Sequence, residues 1–422
     1  MTKTSRELPD RPLFLVTAEW PYGKGENFLS DEIPFLLNRF PNLLVLPMFA
    51  SGDARETDPR VSIIPSGPPS DHRLPELMRG VVKSGGLLVK EWRQSPGFPF
   101  SPGTFYLTAR TLGIARRIEK RILETARQHR FKQGLIYSYW MNQSCMGGIL
   151  AAKKLGWPVV SRAHGGDLYL ERHRKGYLPW HEWKVNHLNY LFPVSENGQR
   201  YIVQRYPEYK DKIRVQYLGV GEGKKRKNRV VGPDELHVAS CSTIIPLKRV
   251  DRIFETVLAL HDRLKKECPS SYKMIRWTHF GDGPGFDALK EKIRRTDNRG
   301  VKIALMGRVA PEFVTDFYFR EQVDLFLNYS TSEGIPVSIM EAGSCGIPAA
   351  APMTGGIPEI VNNETGIPFD VDDAPDTVAG MIKTALTDGT LAVKGDEAYR
   401  LWGNRFDRDK NYRQFADLLT RI

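Results

Sequence analysis

Short apolar runs alternate with amphipathic stretches along most of this chain. Residues 12–17, 43–49, 61–64, 135–139, 159–163 and 191–194 are apolar runs too short for ordinary helices. They predict buried strands. Residues 31–39, 104–129 and 142–155 carry apolar positions at helical spacing and predict helices between those strands. A second alternation starts with a strand at 236–242 and a helix at 250–265, and repeats through 274–280, 286–295, 301–306 and 311–319. Strands at 323–329, 347–351 and 365–368 and a helix at 374–386 complete it. This order predicts an α/β chain with two Rossmann-like halves, each a parallel sheet covered by helices on both faces. A final helical pattern over 396–421 carries Trp402, Phe406, Tyr412 and Phe415.

Three stretches break the pattern. Residues 65–103 are rich in Pro, Gly and Ser, with helical patches at 74–82 and 87–92 and the cations Arg73, Arg79, Lys83, Lys90 and Arg93. They read either as a membrane-surface element or as a packed helical pair under a long loop. Residues 168–183 interleave Arg172, His173, Arg174 and Lys175 with Tyr177, Trp180 and Trp183. This suits an acceptor or headgroup surface, or one amphipathic helix with snorkelling cations. Residues 221–232 hold Lys224 to Lys227 and Arg229 between glycines and read as a solvated linker.

The most informative stretch is Ser332-Glu333-Gly334-Ile335-Pro336, followed by the helical pattern of Val337, Ile339, Met340 and Ala342. A strand, a glycine turn and a helix start present backbone N–H groups and a positive dipole end, a physical site for phosphate. Glu333 lies on the turn, and Glu341 just over two helical turns further on can border the same cleft. Lys248, at the start of the helix after 236–242, can meet a diphosphate as a point charge. Gly281 and Gly283 follow another strand and permit close backbone approach. His164 stands at the end of the strand 159–163, where open sheets gather chemistry. The loop containing Gly23, Gly25, Glu26 and Asn27 between the first strand and first helix is a weaker phosphate signal.

The segment Glu333-Gly-Ile-Pro-x-x-x-x-Glu341-Ala342 resembles the Glu-x7-Glu signature of retaining glycosyltransferases of family 4, and His164-Gly165-Gly166-Asp167 resembles that family's first-domain histidine motif. The resemblance runs from Trp20 to the terminal aromatic helix. It implies a GT-B fold with an acceptor-side domain over 1–220, a nucleotide-sugar domain over 221–395 and a helix over 396–422 crossing back to the first domain, the two domains facing a cleft. It implies catalytic roles for His164, Lys248 and Glu333. Donor contacts would come from Gly25, Gly281, Gly283, Arg308, Gly334, Ile335, Pro336 and Glu341, and the acceptor would meet Glu26, Asn27, Arg172 and Trp180. One departure stands out: many members have Arg where this chain has Thr243, and Arg249 and Arg308 are the cations that could compensate. The implied reaction moves a sugar from a UDP- or GDP-linked donor to a saccharide or lipid-linked acceptor in bacterial surface-polysaccharide or glycolipid assembly. A GT-B nucleotide-sugar epimerase and an inactive nucleotide-sugar-binding scaffold are the alternatives.

Composition adds the partner question. Residues 1–220 hold 32 Lys and Arg against 20 Asp and Glu, whereas residues 221–422 hold 29 of each. The whole excess of +12 therefore lies in the first half, which suits an anionic membrane surface or phosphate-linked acceptor. Nucleic acid would account for the charge but leave the paired Glu residues and glycine turns unexplained. No apolar run approaches the ~20 residues that span a bilayer, and four scattered cysteines read as thiols of a reducing compartment. The expectation is a cytoplasmic enzyme, peripheral on the inner face of the cell membrane. Asp370-Val371-Asp372 and Asp407-Arg408-Asp409 spell a metal-binding Asp-x-Asp, but neither sits at a glycine turn; no metal and no cofactor is expected.

Overall fold

The computed structural model describes residues 11–23, 25–65, 80–94, 101–225, 235–268, 274–298 and 300–422, the side chains of Gln94 and Arg174 excepted. The chain divides into two compact units, Met1–Gln216 with Tyr412–Ile422, and Tyr217–Asn411. The expected elements at 66–79, including Arg73 and Arg79, and the linker residues Arg226 to Arg229 lie outside the described residues.

The first unit is built on six strands: β1 (Leu13–Thr17), β2 (Leu43–Pro47), β3 (Val61–Ile63), β4 (Leu135–Ser138), β5 (Val159–Ala163) and β6 (Tyr190–Pro193). Their order is β3-β2-β1-β4-β5-β6, with every pairing parallel. β1 is buried at all five positions, as a strand covered on both faces must be. Phe14 and Val16 point into one core layer, and Leu13 and Leu15 into the other. Helices α1 (Asn27–Leu37), α2 (Gly85–Gln94), α3 (Pro102–Gln128), α4 (Gln143–Leu155), α5 (His181–His187) and α6 (Glu196–Arg205) complete the unit. Ser195 caps α6 by accepting the Gly198 N–H at 3.0 Å. Phe415, Ala416 and Leu419 of the returning C-terminal segment pack into the layer of Leu13 and Leu15.

The second unit repeats this plan with β7 (Glu235–Cys241), β8 (Met274–Phe280), β9 (Val301–Leu305), β10 (Leu325–Leu327), β11 (Ala349–Pro352) and β12 (Gly366–Phe369). Its order, β12-β11-β10-β7-β8-β9, is again all parallel. Both sheets are doubly wound, with the order reversing beside the first strand of each. The helices are α7 (Val250–Glu267), α8 (Phe286–Arg295), α9 (Pro311–Arg320), α10 (Val337–Ser344), α11 (Pro375–Thr387) and α12 (Thr390–Leu401); α13 (Arg408–Leu419) begins in this unit and from Tyr412 onward belongs to the first.

Two expected helices are corrected. The terminal pattern over 396–421 is not one helix: α12 runs into a π-helical turn, Trp402–Phe406, and α13 starts afresh. The break has a backbone cause. Phe406 O accepts the Val220 N–H at 3.0 Å, and the Arg408 N–H donates to Val220 O at 3.1 Å, so these groups leave the helical ladder. Asp407 then restarts the helix by accepting the N–H groups of Asp409 and Lys410. Asp370 likewise accepts the Asp372 N–H, so the Asp-x-Asp spellings contain local turn and cap contacts. The aromatic and cationic stretch 168–183 is also broken, into short turns at Gly165–Leu168, Leu170–Arg172 and Arg174–Gly176 before α5. Lys175, Gly176 and Trp180 take positive φ, which no continuous helix allows.

Candidate functional site

In the second unit, the sheet order reverses between β7 and β10. Open α/β sheets bind ligands beyond the carboxyl ends of strands at such a switch point. Lys248 leaves β7 through the turn Pro246–Lys248, and Glu333 follows β10. The two meet in an ion pair between Lys248 Nζ and Glu333 Oε1. Their loops are also joined through the backbone, the Thr331 N–H donating to Leu247 O at 2.9 Å. The Lys248 and Glu333 side chains are 21% and 11% exposed, so both partners remain reachable from solvent.

A turn that carried no assigned role holds Glu333 in place. Gly355, after β11, has φ +56°, and a Cβ there would lie 1.9 Å from Glu333 O. Only glycine fits such an approach. The Gly356 N–H donates to the same oxygen at 3.3 Å. Gly334, Ile335 and Pro336 then lead into α10, and Pro336 O accepts the N–H groups of Ile339 and Met340. The first amides of α10 therefore have no partner within their own helix. Glu341 lies on α10, near enough to the Cys241 thiol to add to the burial that pushes it up to about 12.

The other donor-side expectations are partly altered. Gly281 and Gly283 have φ +137° and +154°. The space of their missing Cβ atoms is taken by Ser242 O and Ile244 O, at 1.9 and 2.7 Å, rather than left for a ligand. These glycines weld the loop after β8 to the loop after β7, which leads to Lys248. Arg249 does not stand in for the arginine replaced by Thr243. Its Nε donates to Tyr329 O at 3.0 Å and its Nη2 to Val371 O at 2.7 Å. Arg308 is exposed on the loop after β9.

In the first unit, His164 ends β5 and begins the short turn Gly165–Leu168. Its ring is buried against Tyr139 and Trp140, with centroids at 5.0 and 4.3 Å, and Phe28 stacks at 6.4 Å. Among the described residues neither ring nitrogen has a hydrogen-bond partner, an exception to the usual pairing of buried polar groups. Asp167 sets the loop by accepting the His164 N–H at 2.5 Å and the Met141 N–H at 2.6 Å.

Glu26 corrects an acceptor-side expectation. Its carboxylate is turned inward, accepting the N–H groups of Ala18, Glu19 and Trp20 at 2.8–2.9 Å and the indole N–H of Trp140 at 2.5 Å. It is 7% exposed and sits in a left-handed conformation, φ +55°. Glu26 thus shapes the loop and seats the tryptophan that packs on His164. The same loop is tied to Arg55, which donates to the carbonyls of Gly23 and Gly25. Asn27 opens α1 and is exposed. Trp180 is a second correction. At 1% exposure it packs with Leu112, Met146 and Leu150 in a satellite core and offers no face to an acceptor. Arg172 ends the turn Leu170–Arg172 and is partly exposed. No spacing in the sequence marked Trp140, Arg55 or Gly355; the paired glycine at Gly356 was the only local signal.

Burial, helped by the nearby Arg162 charge, lowers His164 to about 3. The ring is therefore neutral at physiological pH. In the unfolded chain it takes a proton near 6.5, so its contribution to stability is complete above that value and is lost as pH falls toward 3. The His164→Phe variant should show a flatter acid limb than wild type in urea midpoints between pH 6.5 and 4, by at most about 1.4 kcal/mol per pH unit. Parallel pH profiles would show that the ring is not buried in its neutral form.

Residues 235–388 match the family described as Glycosyl transferases group 1. The GPI3 subunit of phosphatidylinositol N-acetylglucosaminyltransferase from Saccharomyces cerevisiae is 28% identical over 142 residues, covering 34% of this chain and 28% of its own. N-acetyl-alpha-D-glucosaminyl L-malate synthase from Bacillus anthracis is 27% identical over 139 residues, 32% of each chain. The matched stretch thus spans about a third or less of these relatives. Among solved structures, Anabaena Alr3699/HepE in complex with UDP and glucose superposes with a TM-score of 0.63 at 18% identity, covering 98% of this chain and 100% of that one. The chain has the two-domain α/β GT-B fold, and its second unit carries the match to the group 1 glycosyl transferases.

Proposed function

We propose that the protein is a retaining, metal-independent glycosyltransferase that moves a sugar from a nucleoside diphosphate to a lipid-linked saccharide in bacterial polysaccharide or glycolipid assembly. The observation that carries this reading is the Lys248–Glu333 pair at the switch point of the second sheet, beside the N-terminus of α10. Lys248 meets the departing diphosphate, and the first amides of α10 face the same charge. Glu333, released from the lysine as donor binds, accepts hydroxyls of the donor sugar, and Glu341 accepts those of the ribose. His164, buried and neutral, supplies a hydrogen bond on the sugar side. Substitution proceeds on one face, with the leaving phosphate oxygen assisting deprotonation of the acceptor. Alr3699/HepE was solved with UDP and with UDP-glucose, and that supports a UDP-linked donor here.

Thermal unfolding of wild type and Lys248→Ala with UDP, GDP, ADP and their common sugar conjugates tests the donor site. A ligand at a hundred times its Kd stabilises by about 2.7 kcal/mol. A shift with one nucleotide, absent in Lys248→Ala, is expected. No shift with any of them would favour the inactive-scaffold reading.

The membrane part of the reading rests on exposed side chains of two segments of the first unit. Val82, Val89, Phe105 and Tyr106 are four of the eight exposed large hydrophobic side chains among the described residues, all on the segment 80–94 or the start of α3. Lys83, Lys90 and Arg93 lie among them, a pattern suited to an anionic bilayer surface. Among the described residues no helix is long and apolar enough to cross a membrane. Wild type should co-sediment with phosphatidylglycerol-containing vesicles at low salt, and Val89→Glu/Phe105→Glu should not. Failure of wild type to bind would remove the membrane from the proposal.

A further inference from the structure

The first unit contains a cavity of about 340 Å³ that none of the expected site residues lines. Its walls come from the broken stretch after the Gly165–Leu168 turn and from the end of α6. Tyr177, His181, Glu182, Arg205, Tyr206 and Glu208 supply its polar and aromatic groups, and Leu170 and Leu178 its aliphatic ones. That volume falls in the range of small-molecule pockets, about 300–1,000 Å³.

The cavity is built rather than incidental. The Leu170 N–H donates to Tyr201 Oη at 2.9 Å, and Tyr169 Oη donates to Asn197 Oδ1 at 2.7 Å, which fastens one end of the wall to α6. At the other end Glu91 accepts from Tyr177 Oη at 2.7 Å and from the Trp180 N–H at 2.8 Å. Between these anchors Lys175 and Trp180 hold left-handed conformations, φ +62° and +52°. Strain of this kind persists where surrounding contacts over-determine the backbone, and it clusters at ligand sites. His181 ties wall to wall. One ring nitrogen lies 3.1 Å from Leu168 O and the other 3.1 Å from Tyr206 Oη. A carbonyl can only accept, so Nε2 carries the proton and Nδ1 accepts from the tyrosine hydroxyl. Burial, with the Lys184 charge behind it, lowers this imidazole to about 3, so it stays neutral at physiological pH.

The lining chemistry points to the occupant. Arg205, the carboxylates of Glu182 and Glu208 and the neutral His181 imidazole line the cavity together. They form a set of hydroxyl-binding groups beside the rings of Tyr177 and Tyr206. Carboxylates accept pairs of sugar hydroxyls, and aromatic rings cover the C–H face of a pyranose. We propose that this cavity is a saccharide site that holds a neutral hexose or hexosamine residue. Its use as a grip on an acceptor glycan rests on the glycosyltransferase reading; the binding of sugar does not.

Saturation-transfer NMR on the full chain, with glucose, galactose, mannose and N-acetylglucosamine as probes, tests it. At least one probe should bind saturably to wild type, and binding should survive both Lys248→Ala and saturating UDP. Glu208→Gln and Arg205→Ala are substitutions of exposed side chains; each should weaken binding roughly tenfold, with near-UV circular dichroism unchanged. The proposal is overturned if no probe binds wild type, if inorganic phosphate binds the cavity in place of the sugars, or if Lys248→Ala abolishes binding while both cavity variants retain it. Sugar binding that meets the expectation without any nucleotide shift would leave the cavity standing and remove the transferase reading.

Discussion

Arg162→Ala is expected to lower the stability of the first unit by about 3–5 kcal/mol, the usual cost of stranding one partner of a buried ion pair. Arg162, on β5, and Glu32, on α1, are both fully buried, with Nη2 and Oε2 3.3 Å apart. The guanidinium also donates to Tyr137 Oη at 2.7 Å and to Gln216 O at 2.9 Å, and it lies 4.0 Å from the centre of the Phe415 ring. Tyr137 Oη donates in turn to Glu32 at 3.0 Å. Burial raises the Glu32 carboxyl against the pull of Arg162, so removing the arginine leaves a carboxylate with little to offset its desolvation. Glu32→Leu/Arg162→Met should recover part of the loss, because apolar replacement of both partners removes the stranded charge. Urea unfolding of the three proteins measures this. A loss below about 1 kcal/mol for Arg162→Ala would mean that water reaches the pair.

Lys248→Ala is expected to lower kcat by about 10²–10³-fold, the effect of deleting one group aimed at developing charge. Lys248→Arg should not restore it, since a planar fork does not replace a compact ammonium in a fitted turn. Glu333→Gln is expected to keep the nucleotide-induced thermal shift while losing turnover, because in the proposed reaction Glu333 addresses the sugar and Lys248 the diphosphate. The measurement is turnover of the UDP-sugar identified by the thermal shifts. A kcat within a few fold of wild type in Lys248→Ala would detach the lysine from the chemistry.

The segment Glu333–Ala342 shows how far local pattern reaches. A strand, a turn and a helix beginning at Val337 could be read directly, because apolar spacing and Gly-x-Pro chemistry act over a few residues. The contact of Glu333 with Lys248, 85 residues away, could not be read as geometry. It depends on β10 lying beside β7, which is a property of the sheet. Trp180 illustrates the opposite failure. Among cations it looked like a surface aromatic, yet a left-handed turn and the Glu91 anchor rotate it into a core shared with α3 and α4.

From its order of residues alone this chain determined two α/β halves, the placing of nearly every strand, and a basic first half, because periodicity, turn residues and charge are local or additive. Tertiary structure alone decided which loops meet. The sheet order brings Lys248 to Glu333, Gly355 to the carbonyl of Glu333, and Glu26 to the indole of Trp140. It also decided where the terminal helix breaks, since Val220 competes for the backbone of Phe406 and Arg408. Hydrogen bonds and close packing join residues far apart in the chain, and no pattern of neighbours encodes that choice.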